Sequence, residues 1–252
     1  MVRKEETRVK RTVQISSSGL FFSLIWQPQI KAAELETFFT EIPATPDTIK
    51  LYVLLGILSL IPAFLILTTS FTRIIMVLSF LRSSLGTQQN PPNPVLIGLA
   101  VFLTIFIMQP VYSVVYDEAL EPLMQDEINL EEAYTRAEMP IKDFMLNQTR
   151  DKDLQLFLDL SKTETTIQET TDISLATVIP AFAISEIRTA FTIGFLLFIP
   201  FLIIDMVVSS ILMSMGMFML SPAMISLPFK LLLFVLVDGW YLVVESVVLG
   251  FQ

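Results

Sequence analysis

The sequence predicts an all-α, polytopic membrane-associated protein with about four long, kinked hydrophobic helices. Hydrophobic residues make up 53% of its 252 residues and charged residues only 16%, which is typical of polytopic membrane proteins. The mean hydropathy is +0.67. Four apolar stretches are each long enough to cross about 30 Å of hydrocarbon, which takes about 20 helical residues.

The N-terminal segment, residues 1–33, resembles a secretory signal peptide. Five basic residues lie within residues 3–11, an apolar stretch covers 15–26, and Ala32 and Ala33 follow. A basic region, a short apolar region and small residues in this order are typical of signal peptides. The pattern leaves one alternative open, a basic tail beside an interfacial helix.

The second segment, residues 34–116, is predicted to hold hydrophobic helices and a Pro-rich loop. The first span is Leu51–Thr69, which contains Pro62, and the second is Val95–Tyr116. Proline is tolerated in membrane helices when neighbouring groups satisfy the freed backbone carbonyls. We therefore expect two crossings in this segment.

An amphipathic helix is predicted between these two spans. Apolar residues recur at every third or fourth position from Phe71 to Leu85, which is the helical period. Arg73 and Arg82 mark its polar side, and Gly86 is expected to cap its C-terminus. Since short loops rich in Lys and Arg stay in the cytoplasm, this connection is predicted to be cytoplasmic.

The third segment, residues 117–179, is predicted to be an acidic, extracytoplasmic helical region. Residues 117–180 hold 15 acidic and 5 basic side chains, so this region accounts for the net charge of -9 of the whole chain. A helix is expected to begin near Asp151 and Asp153, where carboxylates favour an N-terminus. Its length permits a few short helices and a small core.

The fourth segment, residues 180–252, is predicted to form a hydrophobic hairpin with a methionine-rich loop. As one helix, the 36 residues from Pro180 to Met215 would measure about 54 Å. Such a helix either leaves the membrane or breaks, and Pro200 is the expected site of a kink. The last span is predicted to be Leu227–Leu249.

Composition excludes several functions. The chain has no cysteine and no histidine, so it lacks the thiolate nucleophile, the thiolate zinc ligand and the commonest general base. No basic patch supports nucleic-acid binding. We therefore expect that the protein is not an enzyme and that it binds no cofactor and no metal ion.

Several ionisable groups lie in or beside the apolar stretches, where a charge is costly and indicates function. They are Glu186, Arg188, Asp205, Asp238 and Glu245. Asp238 and Glu245, seven residues apart, are expected to share a helix face. Arg188 and Asp205 are 17 residues apart, too far to pair on one helix, so their partners must lie on another helix or chain. Structural pairing, an ion relay and contacts that fix subunit register remain alternatives.

Four methionines alternate in the sequence, at Met213, Met215, Met217 and Met219. On a helix neighbouring members would face opposite sides, whereas in an extended loop all four would share one side. Gly216 and Pro222 favour an interruption of the helix here. Because thioether side chains adapt to irregular partners, such a loop could form a deformable seal, and simple packing is the alternative.

Three long blocks of the sequence resemble a known family. They are TSFTRIIMVLSFLRSSLGTQQNPPN from Thr69, VLIGLAVFLTIFIMQPV from Val95, and PAFAISEIRTAFTIGFLLFIPFLIIDMVVSSILMSMGM from Pro180. On these blocks the chain resembles the FliP family, the export-gate proteins of flagellar type III secretion, whose virulence counterpart is the SctR family. The signal-like N-terminus resembles the flagellar branch.

The resemblance implies a function. It implies a pentameric pore assembly with FliQ and FliR type subunits, other type III export proteins and unfolded substrates as partners. It places this assembly at the bacterial inner membrane in the flagellar basal body, with part of it lifted to the periplasmic side. Met213, Met215, Met217 and Met219 would form a gasket. Arg73, Glu186, Arg188, Asp205, Asp238 and Glu245 would make polar assembly or gating contacts.

The equivalent subunit of a virulence type III secretion system is an alternative to the flagellar subunit. Two other functions stand beside the export pore. One is an ion or small-molecule transporter that uses Asp205, Asp238 and Glu245 as a relay. The other is a membrane scaffold without transport. A relay predicts loss of function on changing Asp to Asn with assembly intact, whereas a pore predicts leakage on changing the methionines.

Overall fold

A computed structural model of the chain describes residues 46–161 and 173–251. The predicted signal peptide, residues 1–33, lies outside the described residues. Within them the structure holds nine α-helices, one π-helical turn and no strand, which confirms the all-α class. The helices are α1 (Pro46–Thr68), α2 (Phe71–Leu85), α3 (Asn93–Val115), α4 (Glu121–Met124), α5 (Leu130–Gln148), α6 (Asp151–Ser161), α7 (Leu175–Ser214), α8 (Pro222–Leu236) and α9 (Gly239–Leu249).

The chain divides into two units, Met1–Ser59 and Leu60–Gln252. Of the first unit the structure describes residues 46–59, which form the first turns of α1. All packing discussed below belongs to the second unit.

The break between α1 and α2 is stabilised by threonine hydroxyls. The last four carbonyls of a helix have no partner within it. Here the Thr69 hydroxyl donates to the carbonyl of Leu65 at 2.6 Å, and the Thr72 hydroxyl donates to that of Ile66 at 2.6 Å. The predicted first span therefore ends within one residue of its expected boundary.

The amphipathic helix α2 is confirmed, with apolar positions at helical spacing buried along one side. The prediction that Arg73 marks the polar side is wrong, because Arg73 is buried among these apolar positions, whereas Arg82 is partly exposed. Gly86 caps it in the left-handed conformation, with φ of 77°, and its N–H donates to the carbonyl of Ser83. The next helix, α3, begins two residues before the predicted span. It continues through the π-helical turn Tyr116–Leu120 into α4.

Helix α7 is 40 residues long and unbroken through Pro180 and Pro200. Of the two alternatives for this segment, a break of the helix is therefore wrong, whereas the kink expected at Pro200 stays a prediction. Proline removes one backbone donor, and a helix in apolar surroundings tolerates it when neighbouring groups satisfy the freed carbonyl. The helix begins at Leu175, where the side chain of Ser174 accepts from the N–H of Ala176 as an N-cap.

The last predicted span is not one helix, which corrects the prediction for Leu227–Leu249. It consists of α8 and α9, which meet at an angle of 63°. Asp238 lies between them in the left-handed conformation, with φ of 50°. A Cβ on Gly239 would lie 2.2 Å from the ring of Phe234, so only glycine permits this close packing at the bend.

Two hydrophobic cores hold the second unit together. The larger joins residues of α2, α3, α7, α8 and α9, including Leu78, Ala190 and Phe234. The smaller joins α5, α6 and the start of α7 around Met145 and Phe182. This second core matches the small core predicted for the acidic segment.

Three of the described helices are long and apolar enough to cross a membrane, and a fourth if α8 and α9 count as one span. The three segments are Leu51–Thr68, Asn93–Met124 and Leu175–Ser214. Most of their large apolar side chains are exposed on the isolated chain. Lipid or other subunits must cover these surfaces, because exposed apolar area of this extent is unstable in water.

Candidate functional site

Arg73, at the start of α2, forms a buried ion pair with Glu186 on α7. Arg73 is 4% exposed and Glu186 is 0% exposed. The guanidinium contacts both carboxylate oxygens, with its Nε donating to Oε2 at 3.0 Å and its Nη2 contacting Oε1. Two parallel bonds of this kind give the pair a fixed geometry.

The same guanidinium also binds three further groups. Its Nη1 donates to the carbonyl of Gly250 at 2.9 Å, and its Nη2 donates to the side chain of Gln148 at 3.0 Å. Its carbon lies 3.8 Å from the centre of the Phe251 ring, a cation–π contact. This Arg73 cluster (Arg73, Glu186, Gln148, Gly250 and Phe251) therefore joins α2, α5 and α7 to the residues after α9.

A second polar contact lies one residue before Glu186. The hydroxyl of Ser185 donates to Asp153 Oδ2 at 2.7 Å and accepts from the N–H of Arg150 at 3.1 Å. Arg150 Nη2 also donates to Asp153 Oδ2 at 2.7 Å. The Ser185 hydrogen bond lowers the pKa of the Asp153 carboxyl, and the charges of Arg150 and Arg188 lower it further, while burial opposes them.

Asp205 pairs with Lys230, which lies on α8. Lys230 Nζ donates to Asp205 Oδ2 at 2.7 Å and to the carbonyl of Ser84 at 3.3 Å. The hydroxyl of Ser226 donates to the other carboxylate oxygen at 2.5 Å. This Lys230 cluster (Lys230, Asp205, Ser226 and Ser84) confirms that the partner of Asp205 comes from another helix.

The remaining predicted charges do not join these clusters. Arg188, Asp238 and Glu245 are exposed. Glu245 accepts a hydrogen bond from the Tyr241 hydroxyl at 3.0 Å. The expectation that Asp238 and Glu245 share a helix face is wrong, because Asp238 is the left-handed residue that precedes α9.

The methionine segment (residues 213–219) contains the predicted interruption. Gly216, with φ of 74°, follows the end of α7. Its N–H donates to the carbonyl of Met213 at 3.1 Å, and the N–H of Met217 donates to that of Leu212 at 3.0 Å. This pair of bonds is the Schellman motif, which stops a helix at a glycine.

All four methionines of this segment are exposed. Met213 is 58% exposed, Met215 67%, Met217 38% and Met219 99%. Met213 lies in the last turn of α7, whereas Met217 and Met219 lie beyond its end. The interpretation that a single extended loop carries all four is therefore incorrect for Met213.

Sequence reasoning missed Lys230, Ser226 and Gln148. Lys230 had a usable signal, because it is the lone cation in the apolar run PAMISLPFKLLLFVL of α8. Gln148 had none, because it ends a polar helix among other polar residues. Within the described residues, no group of three or more acidic side chains could hold a metal ion.

Comparison with known proteins shows which family the sequence matches. The FliP family matches residues 54–247. A flagellar biosynthetic protein FliP of Bacillus subtilis (strain 168) is 62% identical over 205 residues, which cover 81% of this chain and 92% of that protein. The FliP of Aquifex aeolicus (strain VF5) is 49% identical over 242 residues, or 96% of this chain and 98% of that protein.

A third relative, the FliP of Caulobacter vibrioides, is 54% identical over 210 residues, which cover 82% of this chain and 78% of that protein. All three relatives bear the name flagellar biosynthetic protein FliP. The resemblance found in the sequence blocks is thus confirmed over most of the chain. The chain belongs to the FliP family.

Proposed function

We propose that this chain is a core pore subunit of the flagellar type III protein export gate. It would conduct unfolded flagellar subunits across the bacterial inner membrane during flagellum assembly. The observation that carries the proposal is the methionine segment, an exposed thioether surface at the abrupt end of a 40-residue helix, in a chain of the FliP family.

The exposed methionines suit a seal around a passage. Met219 is almost fully exposed, and the helix that carries the segment is fixed by a glycine cap. Thioether side chains are unbranched and polarisable, so they pack against irregular surfaces without one fixed geometry. Several copies around an axis would close on one another and part for an unfolded chain.

The extensive apolar surface supports an assembly with several partners. We propose a homo-oligomer, pentameric by resemblance to the family, together with FliQ and FliR type subunits and other type III export proteins. Its place would be the flagellar basal body at the inner membrane, with part of the assembly on the periplasmic side. In this role the protein is a conduit and carries out no reaction of its own.

The relay hypothesis has less support than the pore. Asp205 is bonded to Lys230 and Ser226, and Glu245 is bonded to Tyr241. Within residues 173–251, no side-chain hydrogen bond links these two groups to each other or to Asp238. A proton relay needs such a continuous chain of polar groups.

The test replaces all four methionines of the segment by alanine in a motile bacterium that lacks its own copy of the protein. We expect entry of a small solute into the cell, with the amount of purified complex unchanged. Matched controls are M206A and M224A, since these methionines are 66% and 76% exposed but lie outside the segment. No leak together with normal export would contradict the gasket.

A further inference from the structure

Two exposed charges of opposite sign, Arg188 on α7 and Glu245 on α9, lie within apolar surface. One turn along the helix from Arg188, Ile184 is 42% exposed and Phe191 is 55% exposed. One turn to either side of Glu245, Tyr241 is 59% exposed and Leu249 is 57% exposed. Any partner that covers these apolar side chains must also accommodate the two charges, because an unpaired charge in such surroundings is costly.

Arg188 and Glu245 lie at nearly the same position along the axis of α7. Arg73 binds both Glu186 and the carbonyl of Gly250, so these two residues share one level. Lys230 contacts Asp205, so the chain from Lys230 to Gly250 runs back along α7.

The separation of Arg188 and Glu245 along the axis of α7 follows from their distances to Glu186 and Gly250. Arg188 lies two residues past Glu186, or about 3 Å along the helix, and Glu245 lies five residues before Gly250, or at most about 7.5 Å in the same direction. The difference of at most about 4.5 Å is within the reach of an arginine side chain. Among the described residues the two side chains form no ion pair with one another, so within one chain neither neutralises the other.

Neither charge has an ion-pair partner among the described residues. The charge of Arg188 acts on Asp153, but that carboxylate is already bonded to Arg150 and Ser185. Glu245 is bonded to the neutral hydroxyl of Tyr241. By contrast, Glu186 and Asp205 each have a cation of this chain as a partner.

We propose that Arg188 of one copy pairs with Glu245 of the adjacent copy in the assembly. This inference rests on the proposed homo-oligomer and names a contact that joins its subunits. A head-to-tail contact between copies uses two different patches of each chain, and these two charges supply such patches at matching height. The acyl chains of a bilayer would leave both charges without a partner, so a second copy fits this surface better than hydrocarbon does.

The contact is tested by exchanging the charges, in cells that also produce the FliQ and FliR type subunits. R188E or E245R alone is expected to reduce the purified oligomer about tenfold or more, since close interface charge pairs contribute upwards of about 1.5 kcal/mol. The double variant R188E/E245R is expected to restore it. R136E is the matched control, because Arg136 is an exposed cation whose one ion-pair partner in the described part of the chain is Glu132 on its own helix.

Each outcome of the exchange decides the proposal. Recovery in the double variant supports it, because two independently harmful changes compensate only if the side chains meet. A double variant no better than either single variant overturns it, and so does a full amount of oligomer in both single variants.

Cysteine cross-linking provides a second measurement that does not depend on charge reversal. The chain has no cysteine, so R188C in one tagged copy and E245C in a differently tagged copy are the only thiols that this protein supplies. Because a disulfide requires Cα atoms within about 7 Å, closer than an Arg–Glu pair needs, the thiols are joined with a short bis-maleimide whose length matches that pair. We expect a cross-linked dimer when the two variants are produced together and none from either variant alone, and no dimer in the mixture would overturn the proposal.

The two proposals fail in different ways. Cross-linked copies without a leak in the methionine variant would refute the gasket and leave the subunit contact standing. A leak without cross-linking or charge compensation would refute the contact and leave the gate standing.

Discussion

The Arg73 cluster and the methionine segment are opposite kinds of structure on the same long helix. Near the N-terminal end of α7, Glu186 is fully buried and shares a guanidinium with α5 and with the residues after α9. Beyond the other end of α7, Met219 is almost fully exposed. A pore subunit needs both properties, because a seal that must open requires a frame that does not move with it.

The two regions should differ in how far a substitution lowers the stability of the fold. Packing and buried hydrogen bonds determine how far a substitution lowers the free energy of unfolding. Changes at the Arg73 cluster should therefore be strongly destabilising, whereas changes in the methionine segment should be nearly neutral.

Replacing Arg73 by leucine should lower the free energy of unfolding by about 3–5 kcal/mol, because it leaves the buried carboxylate of Glu186 without its cation. The expected result is a large loss of folded protein in membranes, measured as the fraction that resists protease. R136L is the control, since the Arg136–Glu132 pair is 43% and 47% exposed and is worth less than about 1 kcal/mol. Equal losses in R73L and R136L would contradict the role of the Arg73 cluster.

Replacing Lys230 by methionine should cost less, about 1–3 kcal/mol. The partner, Asp205, is 33% exposed and keeps its bond to Ser226, so solvent compensates part of the lost pairing. The measurement is the midpoint of thermal unfolding in detergent, compared with that of R73L. A midpoint for K230M at or below that of R73L would reverse the predicted ranking of the two clusters.

Asp153 should make the stability of the folded protein depend on pH in the acidic range. Its pKa is lowered in the folded state, chiefly by the Ser185 hydrogen bond, so the stability it contributes is present above the unfolded value of about 3.9 and is lost as the pH falls through the folded value. Protease resistance should therefore drop below about pH 4, and the drop should be smaller in D153N. An identical acid profile in D153N would exclude this carboxylate as a source of the effect.

Single alanine substitutions in the methionine segment should change stability by no more than about 0.5 kcal/mol. M219A removes a side chain that is 99% exposed, whereas the control M145A empties a fully buried position of the smaller core and should cost about 2–5 kcal/mol. Both are measured by thermal unfolding of the purified protein. A large cost for M219A in the isolated chain would show that this residue packs against the fold and is no free seal.

Local signals predicted most of the fold. The helical spacing of apolar residues in α2 and the glycine at position 86 act within a few residues of one another, so the helix and its end could both be inferred. The same holds for Gly216 at the end of α7. These features depend on backbone conformation that no distant residue needs to supply.

Contacts between distant parts of the chain could not be predicted in the same way. Arg73 and Glu186 lie 113 residues apart, and hydrophobic periodicity does not say which charges meet. The bend between α8 and α9 was missed for a related reason, because it depends on the ring of Phe234 lying against Gly239. Asp238 adopts the left-handed conformation at that bend, which its charge does not predict.

The length of α7 has a consequence for how the protein can sit in a bilayer. Between Arg188 and Asp205, the uncharged stretch 189–204 measures about 24 Å along the helix, less than the hydrocarbon thickness of about 30 Å. A straight crossing centred on this stretch would therefore have to thin the lipid or draw charged groups into it, and hydrophobic mismatch of this kind has an energetic cost. The mismatch favours an arrangement in which neighbouring subunits, rather than acyl chains, surround much of this helix.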